Sequence, residues 1–157
     1  MRALVLTVSN RAAAGVYADT AGPILVAGLS QIGFEVAEPR VVPDGEPVRQ
    51  ALREAVAGAY DIVLTTGGTG LTPLDRTPEM TRSVLDYEVP GIPEQLRAYG
   101  VAQGVPSAVL SRGVAGVAGQ TLIVNFPGSP KAIGEAGEAI AEALPHALRL
   151  LRGEAGH

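Results

Sequence analysis

Short apolar runs alternate with amphipathic segments along the chain. Residues 3–8 are apolar without a period of two, which is typical of a strand buried on both faces. Further predicted strands cover residues 34–42, 61–65, 107–110 and 121–125. Predicted helices cover residues 19–31, 47–59, 79–85, 92–103 and 130–151. This order implies right-handed crossovers, and we expect an α/β three-layer sandwich in which helices cover both faces of a mainly parallel, mixed sheet.

Local features set the expected ends of several elements. Asp19 and Thr20 can cap the first long helix, and Thr77 is the expected N-cap of the helix near residues 79–85. Pro145 should kink or divide the last helix, because proline cannot continue an α-helical hydrogen-bond ladder. Residues 113–119 are expected to form either a hairpin arm or small extra strands.

Three polar or glycine-rich turns follow predicted strands. They are the polar loop at residues 9–18, the glycine-rich turn at 66–70 and the turn at 125–129. The carboxyl ends of parallel strands share one edge of the sheet, and ligands of such sheets bind beyond that edge. We therefore expect these turns to build one binding site.

Composition narrows the class of protein. The 157 residues with 46% hydrophobic content suit one domain, residues 1–157. A net charge of −4 without any Lys/Arg cluster argues against nucleic acid as a partner. With no Cys, and with His146 and His157 as the only histidines, thiolate metal sites and a Ser-His-Asp triad are not expected. The apolar N-terminal run is too short for a membrane span, and a cytoplasmic protein is expected.

The glycine-rich turn carries the sharpest motif. Thr66, Gly67, Gly68, Thr69 and Gly70 can bring successive N–H groups and threonine hydroxyls close to an anion. The turn lacks the Lys-Ser/Thr ending of a Walker A loop and the spacing of the dinucleotide fingerprint. From the residues alone, phosphate binding and a tight strand-exit turn remain equally open.

Two aspartates are candidates for chemistry. Asp75 precedes a helix start that Thr77 is expected to cap, which would free the Asp75 carboxylate for another role. A carboxylate beside a phosphate site would repel the ligand unless a cation lay between them, so the pair suggests Mg²⁺ held by Asp75, directly or through water. Asp44 lies in a turn after the second strand, where local turn hydrogen bonds are the favoured explanation.

Other polar groups near the same edge are weak candidates one by one. They are Ser9, Asn10, Arg11, Ser111, Arg112, and the turn formed by Asn125, Phe126, Pro127, Gly128 and Ser129. Arg11 could equally be solvated. On the last helix, Glu135, Glu138 and Glu142 are expected to form a solvated face, and His146 is expected to be structural or at the surface.

Several segments taken together resemble the molybdopterin adenylyltransferase family, which includes the MogA and MoaB proteins and the G domains of gephyrin and its plant counterpart. The resemblance extends from Leu6 to about Leu151. The main segments are residues 65–70, 75–79 and 125–129, supported by residues 9–11, 90–91, 110–112 and 144–146. The combination is highly specific, although no single segment is.

The resemblance implies an activity and an assembly. Members of the family have an α/β fold and form homotrimers. They transfer AMP from Mg-ATP to the terminal phosphate of molybdopterin and release pyrophosphate. A molybdenum insertase acts downstream. The implied roles are catalysis for Asp44 and Asp75, with Mg²⁺ placed by Asp75, and phosphate binding for residues 66–70. The implied pterin or phosphate contacts are Ser9, Arg11, Ser111, Asn125, Pro127, Gly128 and Ser129.

Two positions depart from the family pattern, and two other functions stay open. Asn10 stands where many relatives have Asp, and Leu74 stands before Asp75 where many have Arg. One alternative is a molybdopterin carrier, a paralogue with little turnover. The other is a pyrophosphate-chemistry enzyme of the kind found at the start of CinA-like proteins, although the single domain counts against it.

Overall fold

The sheet confirms the predicted fold class. The computed structural model describes residues 1–154, without the side chains of residues 131, 132, 135 and 136. Its seven strands are β1 (Arg2–Val8), β2 (Glu35–Val36), β3 (Arg40–Val42), β4 (Ile62–Thr66), β5 (Tyr87–Glu88), β6 (Ala115–Ala118) and β7 (Thr121–Phe126). The order is β2-β1-β4-β7-β6-β5, and β3 also pairs with β1. The pairs of β1 with β2, β3 and β4, and of β4 with β7, are parallel, whereas β6 runs antiparallel to β7 and β5 antiparallel to β6.

Helices cover both faces of this sheet. They are α1 (Asn10–Ala13), α2 (Ala21–Gln31), α3 (Glu46–Ala57), α4 (Thr77–Arg82), α5 (Gly91–Ala102), α6 (Pro130–Ile140) and α7 (Ala143–Leu151), with a 3₁₀ helix at Pro106–Leu110. One core joins side chains of α2, α5, α6 and α7 to alternate residues of the central strands. The other joins α3 and α4 to the remaining residues of those strands. Alternate residues of β1, such as Val5 and Leu6, enter opposite cores, which explains its continuous apolar run.

Two predicted strands are wrong. Residues 107–110 lie in the 3₁₀ helix, where Val109 and Leu110 are 65% and 53% exposed, so this apolar run fills no core. The predicted strand at residues 34–42 is two short strands, β2 and β3, separated at residues 37–39. Pro39 in this gap has no N–H to donate to a ladder.

Several helix ends also differ from the prediction. The loop at residues 9–18 contains α1, and Ser9 is its N-cap because the Ser9 hydroxyl accepts from Ala12 N. Asp19 does cap α2, accepting from Ala21 N and Gly22 N at 3.1 Å each. Thr77 is not an N-cap: it is the first residue of α4, after Arg76.

The last predicted helix is divided into α6 and α7, as expected from the presence of Pro145. The break falls at residues 141–142, and Pro145 lies in the first turn of α7, where a missing N–H has no effect on the ladder. His146, Glu138 and Glu142 are exposed, in agreement with the surface positions expected for them. The predictions for the Glu135 side chain and for His157 lie outside the described residues. Within residues 1–154, no helix is long and apolar enough to cross a membrane.

The exit of β4 passes unusually close to the exit of β1. Gly67 has φ +96°, a conformation that L side chains rarely adopt, and a Cβ built there would clash with the carbonyl oxygen of Val8. Gly33 has nearly the same φ, +93°, but no atom within 4 Å of the equivalent Cβ. A side chain at Gly33 would meet only backbone strain, whereas a side chain at Gly67 would meet the same strain and a steric clash.

We expect Gly33→Ala to lower the free energy of unfolding by about 1–2 kcal/mol, because the left-handed backbone disfavours a side chain. Gly67→Ala should cost about 1–3 kcal/mol more, because the clash with Val8 forces the backbone to shift. Denaturant unfolding of both variants measures the difference. Equal losses for the two variants would show that β1 and β4 are not in tight contact at this point.

Candidate functional site

Hydrogen bonds join the exits of the central strands. Gly67 N donates to Phe126 O at 3.2 Å, and the Thr66 hydroxyl donates to Pro127 O at 2.7 Å. Ser9 N donates to Val42 O at 3.0 Å, which ties the end of β1 to the end of β3. The turns after β1, β3, β4 and β7 therefore meet at one edge of the sheet. The sequence predicts this for the turns after β1, β4 and β7.

A pocket of about 540 Å³ opens at this edge. It lies between the glycine-rich turn, the turn after β7, helix α5 and the 3₁₀ helix. The predicted site residues that line it are Gly68, Thr69, Gly70, Asp75, Ser111, Asn125, Pro127, Gly128 and Ser129. Five other predicted site residues are not part of this lining, namely Ser9, Arg11, Asp44, Thr66 and Gly67.

The backbone N–H groups of the glycine-rich turn are potential donors to a ligand in the pocket that this turn lines. Within the described part of the chain, the N–H groups of Gly68, Thr69 and Gly70 donate to no acceptor. Thr69 is nevertheless only 4% exposed, and an unpaired buried N–H costs free energy. Gly68 has φ +68°, and a Cβ at this position would clash with Thr77 and Asp44. Glycine is therefore required here, and three successive donors suit an anion.

Asp75 holds the far side of this loop and keeps one oxygen available. Its Oδ2 accepts from the N–H and the hydroxyl of Thr72, at 3.0 and 2.8 Å. Among the described residues, no group donates to its Oδ1. The carboxylate lines the pocket beside Gly70, whose equivalent Cβ would lie 2.9 Å from Oδ2. Asp75 therefore presents a fixed carboxylate with a free oxygen.

Asp44 binds the segment at the start of α4, where no side chain caps the helix. Its Oδ2 accepts from Arg76 N at 3.1 Å, and its Oδ1 accepts from Gly45 N at 2.7 Å and from the Thr77 hydroxyl at 3.3 Å. Asp44 therefore joins the turn after β3 to the start of α4, behind Gly68. This network explains Asp44 as a structural group, and a catalytic role for it stays a prediction.

Arg112 fastens the loop that carries Asp75. Its Nε donates to Gly70 O at 2.9 Å and its Nη2 donates to Asp75 O at 2.7 Å, so one guanidinium spans both ends of the loop. Arg112 N donates to Thr69 O at 2.9 Å, and Nη1 pairs with Glu79 on α4. The hydrogen bond from Arg112 lowers the pKa of the Glu79 carboxyl, so this carboxyl stays ionised to a lower pH than an ordinary glutamate.

Asn125 is a buried structural amide at the floor of the pocket. It is 2% exposed, and its Nδ2 donates to the hydroxyls of Thr65 at 2.9 Å and Thr81 at 3.1 Å. Its Oδ1 accepts from Val114 N at 3.1 Å. The amide thus joins β7 to β4, to α4 and to the start of β6. Both its oxygen and its nitrogen are hydrogen-bonded within the protein.

Ser9 and Arg11 lie on the other side of the β4 exit. The Ser9 hydroxyl caps α1 and lies 2.9 Å from the Tyr17 hydroxyl, while the exposed Arg11 guanidinium stacks over the Tyr17 ring at 5.2 Å. Arg11 is thus solvated as well as stacked, and ligand contacts by these two residues remain predictions. Ser111, by contrast, faces the pocket, 3.4 Å from the Thr69 hydroxyl.

One charged side chain of the pocket, Arg97, was not predicted from the sequence. It lies on α5 and lines the pocket, and its Nη1 donates to Ser111 O at 3.2 Å and Gly113 O at 3.0 Å. Nothing in the local sequence distinguishes it from a solvated helix arginine. Only the packing of α5 beside the 3₁₀ helix brings it to the pocket.

Fold and site together define an α/β protein with a small-molecule pocket at the carboxyl edge of a mainly parallel sheet, rich in free backbone donors. Residues 4–146 match the family model described as "Probable molybdopterin binding domain". The chain belongs to this family, which is the one its motifs resemble.

Named relatives agree with this membership. The chain is 41% identical to a molybdopterin adenylyltransferase of Haemophilus influenzae, over 95% of this chain and 83% of the relative. It is 48% identical, with a TM-score of 0.91, to the solved structure of the molybdopterin biosynthesis Mog protein of Mycobacterium ulcerans, covering 96% and 98% of the two chains. It is 49% identical, with a TM-score of 0.90, to the solved molybdopterin biosynthesis enzyme MoaB of Thermus thermophilus, covering 97% and 96%.

Replacement of the Asn125 amide tests its structural role. We expect Asn125→Ala to lower the free energy of unfolding by about 2–4 kcal/mol, because it strands the buried Val114 N–H and two buried hydroxyls. Denaturant unfolding measures the loss. Gln120→Ala, in the exposed turn between β6 and β7, is the control and should change stability by less than about 0.5 kcal/mol. A stable Asn125→Ala protein would mean that the side chain is held for ligand contact instead.

Proposed function

We propose that this protein is a molybdopterin adenylyltransferase of molybdenum cofactor biosynthesis. It transfers AMP from ATP to the terminal phosphate of molybdopterin and releases pyrophosphate. The observation that carries the proposal is the row of N–H donors at Gly68, Thr69 and Gly70, which have no partner among the described residues and belong to residues that line one pocket with Asp75. The adenylyltransferase name of the 41% identical relative supports this chemistry.

The reaction needs no nucleophile from the protein. An oxygen of the molybdopterin phosphate attacks the α-phosphorus of ATP, a new P–O–P linkage forms, and the bond to the β-phosphate breaks, so that pyrophosphate leaves with that bond's electrons. Catalysis of such a transfer rests on positioning and on charge stabilisation. In this proposal the N–H groups of residues 68–70 hold the nucleotide phosphates, and the Thr66 and Gly67 contacts fix the turn that carries them.

The Asp75 side chain fits a magnesium ion. Mg²⁺ bound with nucleotide phosphates usually keeps several waters and takes only one or two carboxylates. Among the described residues, no group donates to Asp75 Oδ1, and no cluster of three or more acidic, His or Cys side chains could hold an ion by itself. Mg²⁺ bound with ATP would neutralise phosphate charge beside this carboxylate. Thr72 and Arg112 hold the carboxylate and its loop in place for that purpose.

The pterin side of the pocket is formed by Ser111 and the turn after β7. Ser111, Pro127, Gly128 and Ser129 line the pocket next to the glycine-rich turn, so a molybdopterin bound there would lie beside the nucleotide phosphates. Gly128 packs closely on Gly67, since a Cβ at this position would lie 3.4 Å from Gly67 Cα. This contact keeps the two substrate subsites adjacent.

Assembly and location follow the family resemblance in this proposal. The protein forms a homotrimer, acts in the cytoplasm and passes adenylylated molybdopterin to a downstream molybdenum insertase. Multi-angle light scattering at micromolar concentration should give three times the 16.0 kDa mass of the chain. A monomeric mass under these conditions would contradict the proposed assembly.

Pyrophosphate release tests the activity. Purified protein with Mg-ATP should release pyrophosphate only when molybdopterin is present, and mass spectrometry should detect adenylylated molybdopterin. Binding of molybdopterin without either product would overturn the enzymatic proposal in favour of a carrier. Release of pyrophosphate without molybdopterin would point to a different pyrophosphate chemistry on the same fold.

We expect Asp75→Asn to reduce adenylyl transfer at least about 100-fold, since it removes the charge opposite Mg²⁺ at a site of charge stabilisation. The fold should be unchanged because an amide oxygen can still accept from Thr72. Turnover and the Mg²⁺ concentration for half-maximal rate are the measurements. The control is Glu38→Gln, which also removes one negative charge, at an exposed position between β2 and β3. Normal turnover of Asp75→Asn would refute the magnesium assignment.

A further inference from the structure

Arg97 differs from the other half-buried arginines of the described chain. Arg49 and Arg112 are also half-buried, and each pairs with a glutamate. Arg97 has no carboxylate within ion-pair distance among the described residues, and only backbone carbonyls accept from it. A partly desolvated charge without a counter-charge is unfavourable, so this position is poorly explained by the folded chain alone.

The orientation of Arg97 leaves part of its guanidinium open. Its two bonds to protein, to Ser111 O and Gly113 O, both use Nη1. Neither Nε nor Nη2 donates to an acceptor in the part of the chain that the structure describes. A guanidinium presents these donors as a planar fork that matches a phosphate with two parallel hydrogen bonds. Since Arg97 lines the pocket, its open edge is available to a bound anion.

Arg97 is also the only basic side chain of the described pocket lining. The glycine-rich turn supplies neutral donors, and Asp75 adds a negative charge. Two phosphorylated substrates would meet in this pocket under the proposed function. The nucleotide phosphates have the N–H row and Mg²⁺ beside Asp75, whereas the pterin side, around Ser111, would lack a cation without Arg97.

We propose that Arg97 binds the terminal phosphate of molybdopterin and holds it for attack on ATP, an inference that rests on the proposed function. The bonds to Ser111 O and Gly113 O fix the guanidinium, and Nε and Nη2 donate to two phosphate oxygens. Arg97 thereby selects the phosphorylated pterin over its dephosphorylated form. It also offsets the repulsion between the two phosphate groups as they approach.

The test compares two ligands in a binding cycle. Dissociation constants for molybdopterin and for phosphatase-treated molybdopterin are measured without ATP, for the unaltered protein, Arg97→Gln and Arg97→Lys. The control is Arg53→Gln, which also removes one positive charge, at an exposed position on α3. We expect Arg97→Gln to weaken molybdopterin binding about 10- to 100-fold, the effect of one charge-assisted contact, and to leave the dephosphorylated ligand unaffected. Arg97→Lys should recover part of the loss, and Arg53→Gln should bind normally.

Other results overturn the inference. Equal weakening for both ligands would mean that Arg97 only supports Ser111 and Gly113, and unchanged binding would mean that it contacts neither ligand. A raised KM for ATP with an unchanged dissociation constant for molybdopterin would place Arg97 on the nucleotide instead. Failure of the proposed function is distinct: if the unaltered protein binds molybdopterin but forms no product, a phosphate-specific loss in Arg97→Gln would still support the inference.

Discussion

The candidate site depends on the parallel pairing of β1, β4 and β7. Because these strands run side by side in the same direction, their exits meet, and Gly67 must lie against Val8 O while donating to Phe126 O. Only glycine fits there. The turn that continues from Gly67 therefore emerges in a fixed direction, and no described residue accepts from the N–H groups of residues 68–70. The pairing of the strands itself fixes the row of N–H donors, so the site exists before any ligand binds.

A second layer of contacts holds the loop that faces this turn. Asp44 accepts from Arg76 N just before α4, and Arg112 binds the carbonyls of Gly70 and Asp75. These contacts use one aspartate and one arginine for structure. Another of each, Asp75 and Arg97, lines the pocket and has side-chain atoms without a hydrogen-bond partner among the described residues. Because the residue types are the same, the different roles of the two aspartates and of the two arginines follow from their hydrogen-bond partners.

The sequence predicted the parts of the fold and site that depend on local pattern. Continuous apolar runs identified β1, β4 and β7, and the turns after them marked the edge where the pocket lies. The run at 107–110 was misassigned because an apolar run does not reveal whether a core exists for it. The contacts of Asp44 with the start of α4 and the position of Arg97 were missed for a related reason. Both depend on contacts between segments more than ten residues apart, Asp44 with Arg76 and Arg97 with Gly113, which no local spacing encodes.

The central claim is that the strand exits form a prebuilt phosphate site. A crystal structure of the protein with Mg²⁺ and a non-hydrolysable ATP analogue tests it most directly. The account predicts analogue phosphates accepting from the N–H groups of Gly68, Thr69 and Gly70, Mg²⁺ beside Asp75, and a turn whose backbone shifts by less than about 1 Å, as in other pre-organised sites. Phosphates bound elsewhere, or a turn that rearranges to receive them, would contradict it.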